Sequence, residues 1–313
     1  MKKVSIIIPN WNGIKFIKIC LDSIFASEFS DSYEVIVVDN GSSDDSREIV
    51  QESYPDVRVI EMGYNSGFAK ACNEGIKAAL GEYIVLLNND IEVEKKWLAE
   101  LVSGLDRHPE CGMATSKMVQ YDNRSQIYNT GDQFKIWCDG GGRGFGEVDT
   151  GQYEKEEYVF GACAGAGIYR KILFDKIGNF DEQFFIFAED VDINLRAQLA
   201  GERCVYLPKA IVYHWGTATV GFNSARHVFL FLRNDLFVLI KNYKFSEFVT
   251  YCRKIIYSVF SEGVTYSLDG QGWAVFKSRI SFLFFLPFMA FKRLLLVSER
   301  KRNLNQISEV IMK

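Results

Sequence analysis

Residues 83–90 read Tyr83-Ile84-Val85-Leu86-Leu87-Asn88-Asn89-Asp90. Tyr83 to Leu87 are apolar and mostly β-forming, the pattern of a strand buried on both faces. The character then flips at once to two amides and a carboxylate. A buried strand that ends this way delivers hard oxygen ligands to the edge of a sheet, where open α/β sheets bind their ligands. Asp90 is therefore the candidate ligand of a divalent cation, and the rest of the chain is read outward from it.

Upstream, the same plan repeats. Val4–Ile8 is a short β-branched run ending in Pro9-Asn10-Trp11-Asn12-Gly13, and apolar residues at Ile14, Ile17, Leu21, Ile24 and Phe25 follow at helical spacing. Glu34–Val38 reads as a second strand, Asp39-Asn40-Gly41-Ser42-Ser43 as a polar turn and Asp44–Ser53 as a helix. Val57–Glu61 reads as a third strand. Tyr64-Asn65-Ser66-Gly67 then leads into a helix over Phe68–Leu80, stopped by Gly81. Strand and helix alternating at roughly 25–30 residues per unit describe βαβ crossovers and a mainly parallel sheet. Parallel strands ending in Asn10, Asp39 and Asp90 would bring two carboxylates and several amides to one edge. Taken singly, each of these turns also reads as an ordinary turn former.

A chain of 313 residues, 48% hydrophobic and 24% charged, is globular in composition and long enough for one large α/β domain with an appendage. The net charge of −4 conceals an asymmetry. Residues 241–313 carry 12 Lys and Arg against 5 Asp and Glu, a net of +7, which leaves −11 on residues 1–240. A basic, apolar tail on an acidic body suggests a membrane-surface or polyanion contact through the tail. No nucleic-acid partner is expected. Seven cysteines without a CxxC pair point to reduced cytosolic thiols rather than a disulfide framework or a zinc site. Met1-Lys2-Lys3 before Val4–Ile8 is too short an apolar run for a signal peptide and reads as the lead into the first strand.

Between Gly131 and Gly151 glycines crowd without any GxxxxGK[ST] or GxGxxG spacing, so a loop is expected there, either mobile over the site or plainly on the surface. Gly161-Ala162-Cys163-Ala164-Gly165-Ala166-Gly167 either floors a ligand pocket or allows tight helix–strand packing. A second acidic cluster, Glu189-Asp190-Val191-Asp192, opens a helix ended by Gly201. Asp192 can pair with Arg196 one turn on and is read as structural. Glu189 and Asp190 lie in the first turn, where the helix dipole favours the carboxylate and a general base for a hydroxyl could stand. His214 closes the apolar run Ala210–Tyr213; its spacing alone does not mark it as a ligand.

Taken together, Val4–Gly13, Val37–Asp44, Asn65–Ala69, Leu86–Asp90 and Ala188–Asp192 resemble the family 2 glycosyltransferases, with closest likeness to the rhamnosyltransferase-like branch of bacterial surface-polysaccharide synthesis. The resemblance runs from Val4 to about Tyr243. It implies an α/β GT-A fold, doubly wound on a mainly parallel sheet, a nucleotide-sugar donor (dTDP- or UDP-linked), a divalent cation (Mg2+ or Mn2+) and inversion at the anomeric carbon. Carried over, Pro9, Asn10 and Asn12 would line the nucleotide pocket with Asn65, Gly67, Asn88 and Asn89, and Asp39 would bind the base. Asp90 would hold the metal with His214. Asp190 would take the proton from the acceptor, supported by Glu189. Asn88 stands where the family's general motif has an aspartate, which leaves the metal role to Asp90. Lys70 reads either as a phosphate contact or as a solvated surface lysine.

The expected division is a catalytic domain over 1–243, made of a nucleotide-binding half (1–105) and an acceptor-side half (106–243), followed by a basic helical region over 244–313. Arg233-Asn234-Asp235 is read as opening a segment Leu236–Tyr243. Ile280–Phe291, flanked by Lys277, Arg279, Lys292, Arg293, Arg300, Lys301 and Arg302, is too short to span a bilayer at about 20 residues. It reads as an interfacial segment, or else as a dimer contact or a helix packed on the body. The function expected is transfer of L-rhamnose or another hexose to a lipid-linked glycan acceptor, peripherally on the inner face of the cell membrane. A sugar-phosphate nucleotidylyltransferase would need a glycine- and arginine-rich loop where Asn10–Gly13 stands. A non-catalytic nucleotide-sugar-binding subunit would not need Asp39, Asp90 and Asp190 together.

Overall fold

The computed structural model describes residues 2–136, 139–216, 224–297 and 300–311. Strands β1 (Val4–Asn10), β2 (Tyr33–Asp39), β3 (Arg58–Glu61) and β4 (Tyr83–Leu87) lie parallel in the order β3-β2-β1-β4. Helices α1 (Ile17–Phe25), α2 (Ser46–Ser53) and α3 (Phe68–Ala78) connect them. Their continuous apolar runs reflect burial on both faces. Val4, Ile6 and Ile8 of β1 join Val35, Val37, Val85 and Leu87 in one core. The alternate residues Ile7, Ile36, Val38, Ile84 and Leu86 face a second core that includes Ala69, Cys72 and Ile76 of α3.

Two helices are shorter than the sequence suggests, α2 at its start and α3 at its end. Asp44 accepts from the Ile14 amide at 3.0 Å and from the Ser46 amide at 3.2 Å, so its side chain ties two loops together ahead of α2. Helix α3 ends at Ala78 because Ala79 turns extended (ψ 137°) and Leu80 donates its amide to Glu34.

The second half adds β5 (Ile91–Val93), α4 (Trp97–Arg107), β6 (Cys111–Gln120) and β7 (Ile127–Asn129), then the two-stranded hairpin β8 (Asp132–Lys135) and β9 (Asp139–Gly142). After these come β10 (Glu157–Val159), β11 (Ala166–Arg170), α5 (Lys171–Ile177), α6 (Glu189–Leu199) and β12 (Arg203–His214). The main sheet runs β10-β12-β6-β11-β4-β1-β2-β3. Strands β12, β6, β4, β1, β2 and β3 point one way; β11 and β10 are reversed. The C-terminal ends of β1, β2, β4 and β12 therefore share an edge with the start of β11. The glycine-dense stretch, expected as a loop, begins with the β8–β9 hairpin. Cys138 lies outside the described residues, and the other six cysteines are free thiols.

Helices α7 (Ala225–Asn242), α8 (Phe245–Tyr266) and α9 (Gly272–Val297) follow. Arg233-Asn234-Asp235 sits in the middle of α7 instead of opening a segment. A third core joins Phe184, Leu195 and Leu199 to Phe237 of α7, Tyr243 just after it, Ile255 of α8, Met289 of α9 and Leu304 and Ile307 beyond it. The expected boundary at 243/244 thus crosses one shared core. The segment Phe245–Leu296, which contains the 280–291 run, is long and apolar enough to cross a bilayer by length and composition alone. Much of its apolar surface is outward, including Trp273, Ile280, Phe284, Phe288, Phe291 and Leu295. Several cations read as flanking it face inward instead. Lys292 pairs with Asp181 at 2.6 Å, Arg300 with Glu247 at 2.8 Å, and Arg279 donates to the Leu232 and Val259 carbonyls.

Candidate active site

Asn10 and Asp39 are opposed in register at the ends of β1 and β2. Asn10 is fully buried and both ends of its amide are engaged. Its Oδ1 accepts from Asn89 Nδ2 at 2.7 Å, and its Nδ2 donates to Ser46 Oγ at 2.9 Å. The Asn10 amide is thus engaged within the protein at both ends, and Asn89, also buried, braces it. Gly13 is required beside them, since a Cβ there would lie 2.1 Å from Asn10 Oδ1. Asp39 is buried, with Oδ2 accepting from the Ser42 amide at 3.2 Å. Asn12 (φ 53°) accepts from the Ser43 amide at 2.8 Å and binds the first loop to the second, next to half-buried Pro9. Asn65 Oδ1 accepts from the Gly67 amide at 3.1 Å and from Asn40 Nδ2 at 3.3 Å. Gly67 (φ 91°) could carry no side chain, because a Cβ would meet the Phe185 carbonyl oxygen at 2.6 Å. Lys70 lies 4.0 Å from Glu182 and on Tyr64, an exposed pairing at a distance from Asp90's cluster of contacts.

Asp90 and His214 meet. β12 pairs antiparallel with β5, with His214 opposite Ile91, and His214 Nε2 lies 3.1 Å from Asp90 Oδ1. Asn88 Nδ2 lies 3.5 Å from the same nitrogen. Both side chains are nearly buried, and His214 Nδ1 has no hydrogen-bond partner among the described residues. Two ligands at roughly 2.1 Å from one hard cation and at right angles to it are about 3 Å apart, so the observed spacing fits a shared Mg2+ or Mn2+. Tyr128 packs edge-on to His214, with ring centroids 4.3 Å apart, in space left by Gly216.

Asp190 opens α6. Its Oδ1 accepts the Val191 amide at 2.8 Å, and it lies against the Ala164 backbone, just before β11 begins opposite Leu87. Burial raises its pKa, opposed by those backbone hydrogen bonds. Glu189 is more deeply buried. Burial and the neighbouring Asp190 charge push its carboxyl well above the ordinary range, and Oε2 has no partner among the described residues. Asp192 is structural as expected, paired with Arg196 (3.0 Å) and Lys241 (2.7 Å).

One group escaped the sequence reading. Asp132, Cys163 and Asp190 each offer a ligand atom within 4.8 Å of the others. Asp132 is buried between Asn129 Nδ2 and Asn194 Nδ2, both at 3.0 Å, and burial with the Asp190 charge raises its pKa. Both Asp132 oxygens are thus occupied, and burial and the adjacent carboxylates hold the Cys163 thiol protonated. A hard cation fits the oxygen and imidazole of Asp90 and His214 better. The small-residue run serves close packing in part: a Cβ on Gly161 would strike Asn194, and Gly165 lies against Asn88. Asp132's only outward sign was its place after Asn129-Thr130-Gly131, indistinguishable from turn chemistry.

A mostly parallel α/β sheet followed by a C-terminal helical region is the architecture of GT-A glycosyltransferases. The chain belongs to glycosyl transferase family 2, whose model matches residues 5–178. It is 27% identical over 221 residues to the N-acetylglucosaminyl-diphospho-decaprenol L-rhamnosyltransferase of Mycobacterium tuberculosis, across 62% of this chain and 70% of that protein. Among solved structures, GalNAc-T7 with UDP, GalNAc and Mn2+ has a TM-score of 0.63 at 15% identity, covering 77% of this chain and 48% of that one. The mannosyltransferase PcManGT from Pyrobaculum calidifontis, with GDP-Man and Mn2+, has a TM-score of 0.55 at 16% identity, over 95% and 85%. Both show the shared fold. The chain is a glycosyltransferase.

Proposed function

We propose that this enzyme transfers a sugar, L-rhamnose or another hexose, from a dTDP- or UDP-linked donor to a lipid-linked glycan, with inversion, in bacterial surface-polysaccharide synthesis. The observation that carries the reading is the convergence of Asp39, the Asp90–His214 pair and Asp190 on one sheet edge. The lipid-linked acceptor is supported by the name of the mycobacterial relative, and the metal by the Mn2+ in the two structural neighbours.

In this reading Asp39 accepts from the nucleobase, and Asn65 and Gly67 shape the loop beside it. Asp90 and His214 would hold the divalent cation, which neutralises charge on the departing diphosphate when bound. Asp190 accepts the proton of the acceptor hydroxyl as its oxygen bonds to the anomeric carbon and the bond to diphosphate breaks. Its raised pKa makes it a stronger base than a solvated aspartate, and no protein nucleophile is needed for one displacement. The outward apolar face of α8 and α9 would lie in the cytoplasmic membrane interface, near a lipid-borne acceptor. Asp190→Asn should lower transfer at least 100-fold while leaving Mn2+-dependent donor binding by calorimetry intact, within the 10²–10⁴ range of general-base catalysis. Parental turnover in that variant removes Asp190 from the mechanism.

A further inference from the structure

Just ahead of Asp190 the backbone does something its residues resist. Phe185 (φ 67°), Phe187 (φ 73°) and Ala188 (φ 61°) all take positive φ, and none is glycine. A Cβ crowds the backbone in that region, so such conformations persist only where the surroundings hold them. Here the hold comes from α7. Asn234, fully buried, directs Nδ2 at three carbonyl oxygens, those of Phe184 (2.8 Å), Ile186 (2.9 Å) and Phe187 (2.8 Å). Arg233 donates to Asn234 Oδ1 from Nε (3.0 Å) and Nη2 (2.8 Å), which fixes the amide's orientation. Arg233 Nη2 also reaches the Gln183 and Phe184 carbonyls, each at 3.1 Å. On its other side the loop touches the donor half: the Phe185 carbonyl accepts the Ala69 amide at 3.2 Å and occupies the space left by Gly67.

We propose that Arg233 and Asn234 are positioning residues for transfer, clamping the Phe184–Ala188 loop so that α6 begins with Asp190 aimed at the acceptor hydroxyl. This rests on the reading of Asp190 as the base. An ordinary scaffold would not need a fully buried amide and a guanidinium spent on five carbonyl contacts across roughly one turn of loop. The adjacent αL residue Ala188 caps α6 directly, so release of the loop redirects the first turn, where Asp190 stands.

The test uses the full chain with Mn2+, the nucleotide sugar among dTDP-L-rhamnose and UDP-N-acetylglucosamine that raises its melting temperature most, and a polyprenyl-diphospho-N-acetylglucosamine acceptor. Asn234→Ala should lower kcat at least tenfold with donor Kd within twofold of the parent. Adding Ala188→Gly should recover part of that kcat, because glycine enters the left-handed region without a Cβ. Parental kcat in Asn234→Ala, or a loss that Ala188→Gly leaves untouched, overturns the proposal. Should Asn234→Ala fail to fold, Arg233→Lys, which keeps the charge and removes the fork, is judged on the same split of kcat from donor Kd. Asp190→Asn is run beside them. Full activity there sinks the base reading itself, whereas a dead Asp190→Asn with a normal Asn234→Ala sinks only the clamp.

Discussion

His214 Nε2 faces Asp90 Oδ1 at 3.1 Å across paired antiparallel strands, although 124 residues separate them. The pairing of β5 with β12 sets this spacing, so it exists before any ligand arrives. Such preorganisation means that donor binding need not pay to assemble the cation site.

Asp90→Ala should therefore abolish the Mn2+-dependent part of donor binding, and His214→Ala should weaken it by at least the roughly 10–100-fold that losing an outer-shell partner of a ligand costs. Isothermal calorimetry with and without Mn2+ reads both. Donor affinity that is equally strong in Asp90→Ala would end the assignment of this pair to the cation.

The rate should depend on pH through Asp190. Burial raises its pKa, and only the deprotonated carboxylate can accept a proton. Transfer should hence fall as pH drops, with its midpoint above the ordinary aspartate value of about 3.9. A kcat profile without an acid limb, or with one below that value, contradicts a buried Asp190 as base.

Glu189 bears on stability. Its folded pKa is raised, so its stabilising contribution is complete below the ordinary glutamate range and is lost as pH climbs through the folded value. Glu189→Gln cannot ionise and escapes that loss. It should melt roughly 2–4 °C above the parent at pH 8 and no higher than it at pH 4. Equal melting temperatures at pH 8 would show that the buried carboxyl carries no such penalty.

Membrane contact is best tested without truncation, because Leu304 and Ile307 share a core with Phe184 and Leu195. Phe284 and Phe288 are exposed and can be changed without opening that core. Phe284→Glu with Phe288→Glu should leave the melting temperature unchanged and release the protein from liposomes of anionic phospholipid. Undiminished co-sedimentation would mean that the outward face of α9 is not the contact.

The sequence by itself determined the N-terminal half of the main sheet. The runs Val4–Ile8, Glu34–Val38 and Tyr83–Leu87, short, mostly apolar and β-branched, read as strands covered on both faces, and their polar endings placed Asn10, Asp39 and Asp90 on one edge. Local periodicity carries that information because each residue's environment there repeats every second position. It also marked Asp190 and the Asp192–Arg196 pair, whose spacing is a helical turn. What only the tertiary structure decided involves contacts between distant side chains and backbone. The Asn10 amide is buried and bonded at both ends, since Ser46 at the start of α2 and the turn holding Asn89 close over it. Asp132 and Asn194 meet from different elements, 62 residues apart. Backbone of positive φ at Phe185, Phe187 and Ala188 has no signal in residue type, because those side chains disfavour it. The one trace of its support was the polar triplet Arg233-Asn234-Asp235 inside an otherwise apolar stretch of α7. Arg233 and Asn234 are tolerated in a buried helix only when partners wait for them, and those partners are backbone carbonyls that no sequence pattern locates.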